Sequence, residues 1–150
     1  MQQLTVCLVI KNNKVLLGMK KRGFGEGWWN GFGGKIEEGE TIEDAAKREL
    51  LEESGLKATE IESAGKIEFK LPEENRHVQV NIFLVSEYVG KPHDTEEMHV
   101  EWFDFDKLPE DKMWPGDRLW FKKVLSGQVV EGKMLYGPER EVINNNLRFK

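Results

Sequence analysis

The 150-residue chain carries 22 Lys and Arg against 27 Asp and Glu, which gives a net charge of −5 at pH 7. With 39% hydrophobic and 33% charged residues, the composition is typical of a globular chain and excludes an intrinsically disordered one. The acidic balance disfavours polymeric DNA or RNA as the main ligand, because proteins that bind them present a basic surface. It allows a small nucleotide whose charge a metal ion neutralises.

The first predicted elements are two strands. "LTVCLVI" (4–10) and "KVLLGMK" (14–20) flank "KNN", a pattern typical of a β-hairpin. The single cysteine, Cys7, lies in the first run, so we expect a small buried residue and no internal disulfide, as in a reducing compartment. The start of the chain lacks a signal-peptide pattern and its apolar run is too short to span a bilayer, so we predict a cytoplasmic protein without a membrane partner.

A glycine-rich loop and a helix follow the hairpin. The loop "KRGFGEGWWNGFGGKIEEGE" (21–40) contains seven glycines, and its aromatic residues favour an ordered, functional loop. The helix is predicted from about Thr41 to Ser54. Thr41 is a suitable N-cap with Asp44 three residues later, and Gly55 is a suitable C-terminal stop.

The second half of the chain reads as further strands around one short helix. Strand patterns occur at "EIESAGKIEFKL" (60–71), "HVQVNIFLVSEYV" (77–89) and "VEWFDF" (100–105). "GDRLWFKKVLSG" (116–127) predicts a short helix with Asp117 near its start, and the segment 129–149 predicts a final hairpin. Repeats and linker-like stretches are absent, so we predict one α+β domain over residues 1–150, with sheet layers flanked by helices.

The predicted helix carries acidic residues on its apolar side. Five residues define the side expected to face the sheet: Ile42, Ala45, Ala46, Leu50 and Leu56. Glu49 and Glu53 fall within that stripe and Glu52 at its margin, whereas Arg48 lies elsewhere, as an ordinary surface charge would. Buried carboxylates require basic partners or a cation, and oxygen-only ligands suit Mg²⁺ or Mn²⁺ better than Zn²⁺. The alternative is a solvated acidic face on a helix that is rotated differently.

The spacing of the acidic residues matches a known signature. Gly34, five residues, Glu40, seven residues and "RELLEESGL" (48–56) spell G-x5-E-x7-R-E-U-x-E-E-x-G-U, where U is aliphatic, without a mismatch. The chain thereby resembles the Nudix hydrolases, with the signature at 34–56. The resemblance implies an α/β/α sandwich with a mixed central sheet. It also implies Mg²⁺-dependent cleavage of a nucleoside diphosphate linked to another group, with Mn²⁺ as a second metal.

The resemblance also implies roles for individual residues. The implied metal ligands are Gly34, Glu49, Glu52, Glu53 and Glu97. Arg48 would orient a glutamate by ion pairing and Glu40 would support it, and the implied catalytic residues are Glu52, Glu53, Glu97 and Arg48. Glu97 would ligate a metal or activate water, with the adjacent Glu96 as its alternative. His77, His93 and His99 share no metal-ligand spacing, so we expect structural or surface roles for them.

Two further segments indicate a substrate class. "VLLGMKKRGFGEGWWNGFGGK" (15–35) and "DKMWPGDRLWF" (111–121) resemble the Nudix branch that converts oxidised purine nucleoside triphosphates to monophosphate and pyrophosphate. Such substrates are 8-oxo-dGTP and, in some members, 2-oxo-dATP. The implied substrate-binding residues are Thr5, Lys20, Phe24, Asn30, Phe32, Lys35, Phe69, Met98, Trp114 and Asp117. Trp114 would be a stacking wall, and Asn30 and Asp117 would read the edge of the base.

Each of these assignments has an ordinary alternative. The aromatic residues could be core residues, Asp117 could be the N-cap of the second helix, and Lys35 could be solvated. One position departs from the branch, which has two adjacent aspartates after the Trp-Pro pair where this chain has Gly116 and Asp117. Two neighbouring carboxyls can share a proton, so we expect their reduction to one to alter selectivity among 8-oxo-dGTP, 2-oxo-dATP and dGTP.

Other functions stay open at this point. The substrate could be another modified purine triphosphate, a dinucleoside polyphosphate or ADP-ribose, or the chain could be a nucleotide-binding module without catalysis. The three acidic residues of the helix disfavour the last alternative, because a pure binder does not need costly buried carboxylates. We expect a monomer whose partner is a small nucleotide.

Overall fold

A computed structural model describes all residues, 1–150. It contains two α-helices, α1 (Ile42–Ser54) and α2 (Phe121–Leu125). The nine strands are β1 (Gln2–Lys11), β2 (Lys14–Lys20), β3 (Trp29–Asn30), β4 (Lys57–Leu71), β5 (Arg76–Val89), β6 (Met98–Asp104), β7 (Val130–Tyr136), β8 (Val142–Asn145) and β9 (Arg148–Phe149). Short 3-10 turns cover Pro72–Glu74, Glu110–Lys112 and Pro115–Leu119.

The strands form one mixed sheet. Its order is β3-β2-β1-β5-β4-β7-β8, with β6 paired to β2 and β9 paired to β7. β1 runs antiparallel to β2 and parallel to β5, and β4 runs parallel to β7. The predicted first hairpin is confirmed, and its turn residues Asn12 and Asn13 have φ of 52° and 61°, as a tight two-residue turn requires.

The core divides into two clusters on opposite faces of the sheet. Neighbouring residues of β1 alternate between them, with Leu8 in one cluster and Cys7 and Val9 in the other. The first cluster includes Phe121 of α2, and the second includes Leu50 of α1. The two helices therefore cover opposite faces, which gives the predicted α/β/α sandwich.

Helix α1 begins and ends as its sequence predicts. The Thr41 hydroxyl accepts a hydrogen bond from the Asp44 N–H at 3.0 Å, and Gly55 ends the helix with a left-handed φ of 83°. Ala45, Ala46, Leu50 and Ser54 are buried. Ile42 is 39% exposed, so its predicted place in the buried stripe is wrong, because apolar contact begins one turn later.

The second predicted helix is shorter than expected. Residues 115–119 form a 3-10 turn, and α2 follows only after Trp120, whose φ of −136° interrupts the helical geometry. Asp117 therefore lies inside the turn, and α2 has no side-chain cap, so the N-cap alternative for Asp117 is wrong. The predicted final hairpin is confirmed as β7 and β8.

Candidate active site

The glycine pair before α1 lies directly against β1. The Thr5 N–H donates a hydrogen bond to the Gly34 carbonyl at 2.9 Å, and Phe32 and Cys7 form a second bridge. A Cβ on Gly33 would collide with the backbone of Thr5. Glycine at this position therefore lets the loop approach the strand closely and deliver its backbone to the carboxylates of α1.

Glu53 lies on the buried side of α1, where the helical wheel predicts it. Its Oε1 accepts a hydrogen bond from the Gly33 N–H at 2.8 Å. Burial raises the pKa of Glu53 to about 7, with smaller contributions from the charges of Glu49 and Glu52, while the Gly33 N–H and Lys20 oppose the rise. Near neutral pH, this carboxyl is balanced between its charged and neutral forms.

Glu49 and Glu52 stand beside Glu53 with different exposure. The Glu49 side chain is 16% exposed and that of Glu52 is 57% exposed, in line with the predicted marginal position of Glu52. A Cβ on Gly34 would lie only 2.7 Å from the Glu49 carboxyl group. A side chain at position 34 would therefore displace Glu49, and this close approach explains the glycine.

Arg48 organises the acidic cluster, and its predicted place as an ordinary surface charge is wrong. Its Nε and Nη2 donate to the two Glu40 carboxylate oxygens at 2.7 and 3.0 Å. Its Nη1 donates to Glu49 at 3.0 Å, and Nη2 also reaches the Lys35 carbonyl at 3.0 Å. The guanidinium holds the pKa of Glu40 below its usual range. This forked contact fixes Glu49 against the loop, as the family resemblance implies.

The donor chemistry of this site fits a hard cation. Carboxylate oxygens of Glu49, Glu52 and Glu53, with the Gly34 carbonyl, are the oxygen ligands that Mg²⁺ prefers. A cation beside Glu53 would also reverse the rise in its pKa. The structure contains no preformed group of three or more His, Cys, Asp or Glu side chains in metal-holding geometry. In the structure, the positively charged Arg48 guanidinium contacts Glu49 and Glu52.

Glu97 does not contact the carboxylates of α1. It precedes β6, its side chain is 56% exposed, and Arg22 donates to it through Nε at 3.0 Å and through Nη2. Lys20 lies close enough to lower the pKa of both Glu53 and Glu97, so its ammonium connects the two acidic groups electrostatically. Glu96, the alternative, is 93% exposed and lies 3.7 Å from Arg22.

The predicted stacking residue Trp114 lies within an aromatic cluster. Its ring is 5.9 Å from that of Phe24, 6.4 Å from Trp28 and 5.5 Å from Tyr136. The Phe69 ring stacks on Tyr136 at 6.0 Å with an interplanar angle of 17°. The structure therefore brings Phe24, Phe69 and Trp114 into one wall, and Tyr136 connects them.

Three residues of this wall are not predicted from the sequence: Trp28, Tyr136 and Arg140. The Arg140 guanidinium lies 4.6 Å from the Trp114 ring and is held by two hydrogen bonds to Glu74 at 2.8 and 3.0 Å. Trp28 was detectable as an aromatic residue in the glycine-rich loop. Nothing in the sequence indicates that Arg140 or Tyr136, more than 20 positions after Trp114, reaches the same place.

Asp117 lies in the 3-10 turn that follows Trp114, and its N–H donates to the Trp114 carbonyl at 2.9 Å. It is 7% exposed, and burial raises its pKa to about 7, while interactions with the Trp114 backbone and the Trp120 side chain oppose the rise. Trp120 Nε1 is itself buried and meets the geometry of no hydrogen bond, so its support for the carboxylate is weak. An acid in this position can donate or accept near neutral pH.

The remaining predicted contact residues divide by exposure. Asn30 lies on β3 opposite Gly18 and is half-buried, and Thr5 is buried at the Gly34 contact. Met98 is 3% exposed and Phe32 is fully buried, both in the second core cluster. The Lys35 side chain is exposed.

The three histidines lie apart, as their spacing predicts. His77 pairs with Glu68 at 2.6 Å and His99 pairs with Asp94 at 2.7 Å. His93 packs against Gly55 at the end of α1, where a Cβ would collide with its ring. These contacts support structural roles.

The family model of the NUDIX domain matches residues 1–124. The chain belongs to the Nudix hydrolase family. Its Nudix signature, residues 34–56, begins at Gly34 and comprises the following loop and α1. No helix of this Nudix hydrolase has the length and apolarity needed to cross a membrane.

Named relatives of this Nudix hydrolase cover most of the chain. The oxidized purine nucleoside triphosphate hydrolase of Danio rerio is 52% identical over 122 residues, which are 81% of this chain and 78% of that protein. The protein of the same name from Mus musculus is 44% identical over 144 residues, or 96% and 92% of the two chains. The crystal structure of the MutT protein from Bacillus halodurans matches with a TM-score of 0.84 at 30% identity, covering 98% and 97%.

Proposed function

We propose that this Nudix hydrolase converts oxidised purine nucleoside triphosphates, such as 8-oxo-dGTP, to the monophosphate and pyrophosphate, with Mg²⁺ or Mn²⁺ as its metal. The observation that carries the proposal is the combination of two features in one chain. The acidic helix of the Nudix signature would supply ligands for a metal–diphosphate group, and the buried acid Asp117 lies next to Trp114 and Tyr136 of the aromatic wall. The two vertebrate relatives named for this activity support the same substrate class.

The acidic helix would act on the phosphates. Glu49, Glu52, Glu53 and the Gly34 carbonyl would hold Mg²⁺, which when bound neutralises phosphate charge and lowers the pKa of bound water. Arg48 keeps Glu49 in place through its fork to Glu40.

Two acids in this region are suited to accept a proton from the attacking water. Beside a bound cation Glu53 would be ionised, because the cation would reverse the rise in its pKa, and an ionised carboxylate can accept a proton. Glu97 is the second choice, but it must first leave Arg22, with which it forms a charged hydrogen-bonded pair. We therefore assign the role of general base to Glu53. Lys20 lies near both acids, and we assign it the contact with phosphate.

The aromatic wall would bind the base. Flat apolar surfaces suit a purine ring, and a few polar groups fix its orientation and identity. Trp114 would offer its face beside Phe24 and Phe69, and Asn30 and Asp117 would supply the polar groups. An edge that is read by buried polar groups discriminates strongly, because a mismatched base leaves them without hydrogen-bond partners.

Pyrophosphate release from a nucleotide panel with Mg²⁺ tests the proposal. The panel contains 8-oxo-dGTP, 2-oxo-dATP, dGTP, a dinucleoside polyphosphate and ADP-ribose, each also assayed with EDTA as the metal-free control. We expect the highest kcat/KM for an oxidised purine triphosphate. A preference for ADP-ribose or the dinucleoside polyphosphate would show that the proposed substrate class is wrong. Thermal stabilisation by nucleotides without any turnover would favour a binding module.

We further propose that the enzyme acts as a cytoplasmic monomer. Its single cysteine is buried, which suits a reducing compartment. Sedimentation at micromolar concentration should give a mass near the 17.4 kDa of one chain, and a mass of twice that value would contradict the monomer.

A further inference from the structure

The space beside Gly116 is occupied by another side chain. Gly116 stands where the related branch carries an aspartate, and it is buried in the turn that precedes α2. A Cβ at this position would collide with the Tyr136 hydroxyl oxygen and with Met134 Sδ, both on β7. Strand β7 therefore delivers a polar atom to the place where a side chain at position 116 would begin.

The Tyr136 hydroxyl accepts one hydrogen bond and is left with its own proton to donate. Its oxygen accepts the Gly116 N–H at 3.1 Å, and no residue of the chain accepts its proton. Burial and the charge of Asp117 both raise the pKa of Tyr136, so the hydroxyl stays protonated. Tyr136 is 2% exposed, and its ring is held between Phe69 and Trp114, at 6.0 and 5.5 Å, so a base would meet its hydroxyl at the buried end of the wall.

The Tyr136 hydroxyl is bonded to Gly116, the residue before Asp117, and the charge of Asp117 acts on it, so the two residues place a donor near an acceptor. A purine with a 6-oxo group presents the matching pair, because O6 accepts and N1–H donates. A purine with a 6-amino group presents a donor where the hydroxyl requires an acceptor. Leaving a buried hydroxyl proton opposite an amino group forfeits a hydrogen bond and desolvates both groups.

We propose that Tyr136 is a specificity-determining residue that replaces the missing carboxyl at position 116 and selects 6-oxo purines. In this arrangement, its hydroxyl donates to O6 of an oxidised guanine while Asp117 accepts from N1–H. The inference rests on the proposed function, since it concerns the base that the same site binds. It also fixes the direction of the altered selectivity, which favours 8-oxo-dGTP over 2-oxo-dATP.

The variant Tyr136→Phe tests this inference because it removes one oxygen and keeps the ring that packs on Phe69 and Trp114. We expect kcat/KM for 8-oxo-dGTP to fall about tenfold, the size of one lost hydrogen bond, and that for 2-oxo-dATP to change less than about twofold. Tyr88→Phe is the matched control. Tyr88 is the other tyrosine of the chain and packs against the second core cluster, so both values should stay as in the wild type.

A comparison on the wild-type enzyme keeps the test independent of how well the variant folds. The substrate 6-thio-dGTP retains N1–H but replaces O6 by sulfur, which is a weaker acceptor. We expect the wild type to prefer dGTP over 6-thio-dGTP by about tenfold, and Tyr136→Phe to lose most of this preference. Equal kcat/KM for the two substrates on the wild type would overturn the inference.

The outcomes separate the inference from the proposed function. If the wild type hydrolyses oxidised purine triphosphates but Tyr136→Phe keeps the wild-type ratio of 8-oxo-dGTP to 2-oxo-dATP, Tyr136 only packs and the inference is wrong. If the wild type hydrolyses neither nucleotide, the proposed function is wrong and the inference falls with it. Gly116→Asp is a poor test of the same idea, because the added side chain would collide with Met134 and Tyr136.

Discussion

Replacing the buried acid Asp117 by asparagine should change how the stability of the protein depends on pH. Asp117 is 7% exposed, and burial raises its pKa from the ordinary value of 3.8 to about 7. The unfolded chain therefore releases this proton at a lower pH than the folded chain does. The contribution of Asp117 to stability is full below about pH 4 and is lost as the pH rises through about 7.

The size of this loss follows from the displacement of the pKa. A difference of one pH unit corresponds to about 1.4 kcal/mol, so the rise to about 7 amounts to roughly 4 kcal/mol over the whole range. Between pH 5 and pH 8 the wild type should lose about 3 kcal/mol of this amount. Asparagine does not ionise, so the free energy of unfolding of Asp117→Asn should rise relative to that of the wild type by up to about 3 kcal/mol over the same range.

Urea unfolding of both proteins at pH 5, 6, 7 and 8 measures the difference, because each curve gives a free energy of unfolding by linear extrapolation. Titrations shared by the two proteins cancel in the comparison. Asp111→Asn is the control, because the Asp111 side chain is fully exposed and its replacement should leave the pH dependence unchanged. If the free energies of unfolding of the wild type and Asp117→Asn change in parallel with pH, the conclusion that burial raises the pKa of Asp117 is wrong.

Three further predictions concern the acidic helix and its packing. Glu53→Gln should lower kcat with Mg²⁺ at least about a hundredfold. The control Glu43→Gln changes an exposed residue of the same helix and should retain wild-type kcat. Near-wild-type turnover by Glu53→Gln would show that Glu53 is not part of the site. Gly34→Ala places a methyl group 2.7 Å from the Glu49 carboxyl group, so it should raise the Mg²⁺ concentration for half-maximal activity at least about tenfold. An unchanged Mg²⁺ titration would show that the close approach of Gly34 to Glu49 is unimportant. In thermal or urea unfolding, Leu50→Ala should cost about 2–5 kcal/mol and Ile42→Ala within about 0.5 kcal/mol, and equal losses would contradict the observed rotation of α1.

The acidic helix was largely predictable from sequence because its determinants are local. The N-cap Thr41, the stop Gly55 and the buried carboxylate Glu53 all follow from residue types and helical spacing within 15 positions. The same spacing misplaced Ile42, because a wheel cannot show where along the helix the sheet contact begins. It also made Arg48 look solvated, since its main partner, Glu40, lies in the preceding loop.

The aromatic wall was only partly predictable because it is assembled from distant strands. Trp114 and Phe24 stood out through the segments that resemble the oxidised-purine branch. Arg140 and Tyr136 belong to the C-terminal hairpin, where that resemblance fades, and they reach the wall only because β7 pairs in parallel with β4. The sequence showed that a carboxyl was missing at Gly116, but only the sheet register places a hydroxyl there.

Above all, we propose that the acidic helix and the aromatic wall serve one reaction, cleavage of an oxidised purine triphosphate to monophosphate and pyrophosphate. Chromatography of the products formed from 8-oxo-dGTP with Mg²⁺, together with a pyrophosphate assay, tests it most directly. We predict 8-oxo-dGMP and pyrophosphate in equal amounts, formed faster than the corresponding products from dGTP at equal concentration. The diphosphate with inorganic phosphate, or no product at all, would contradict the account.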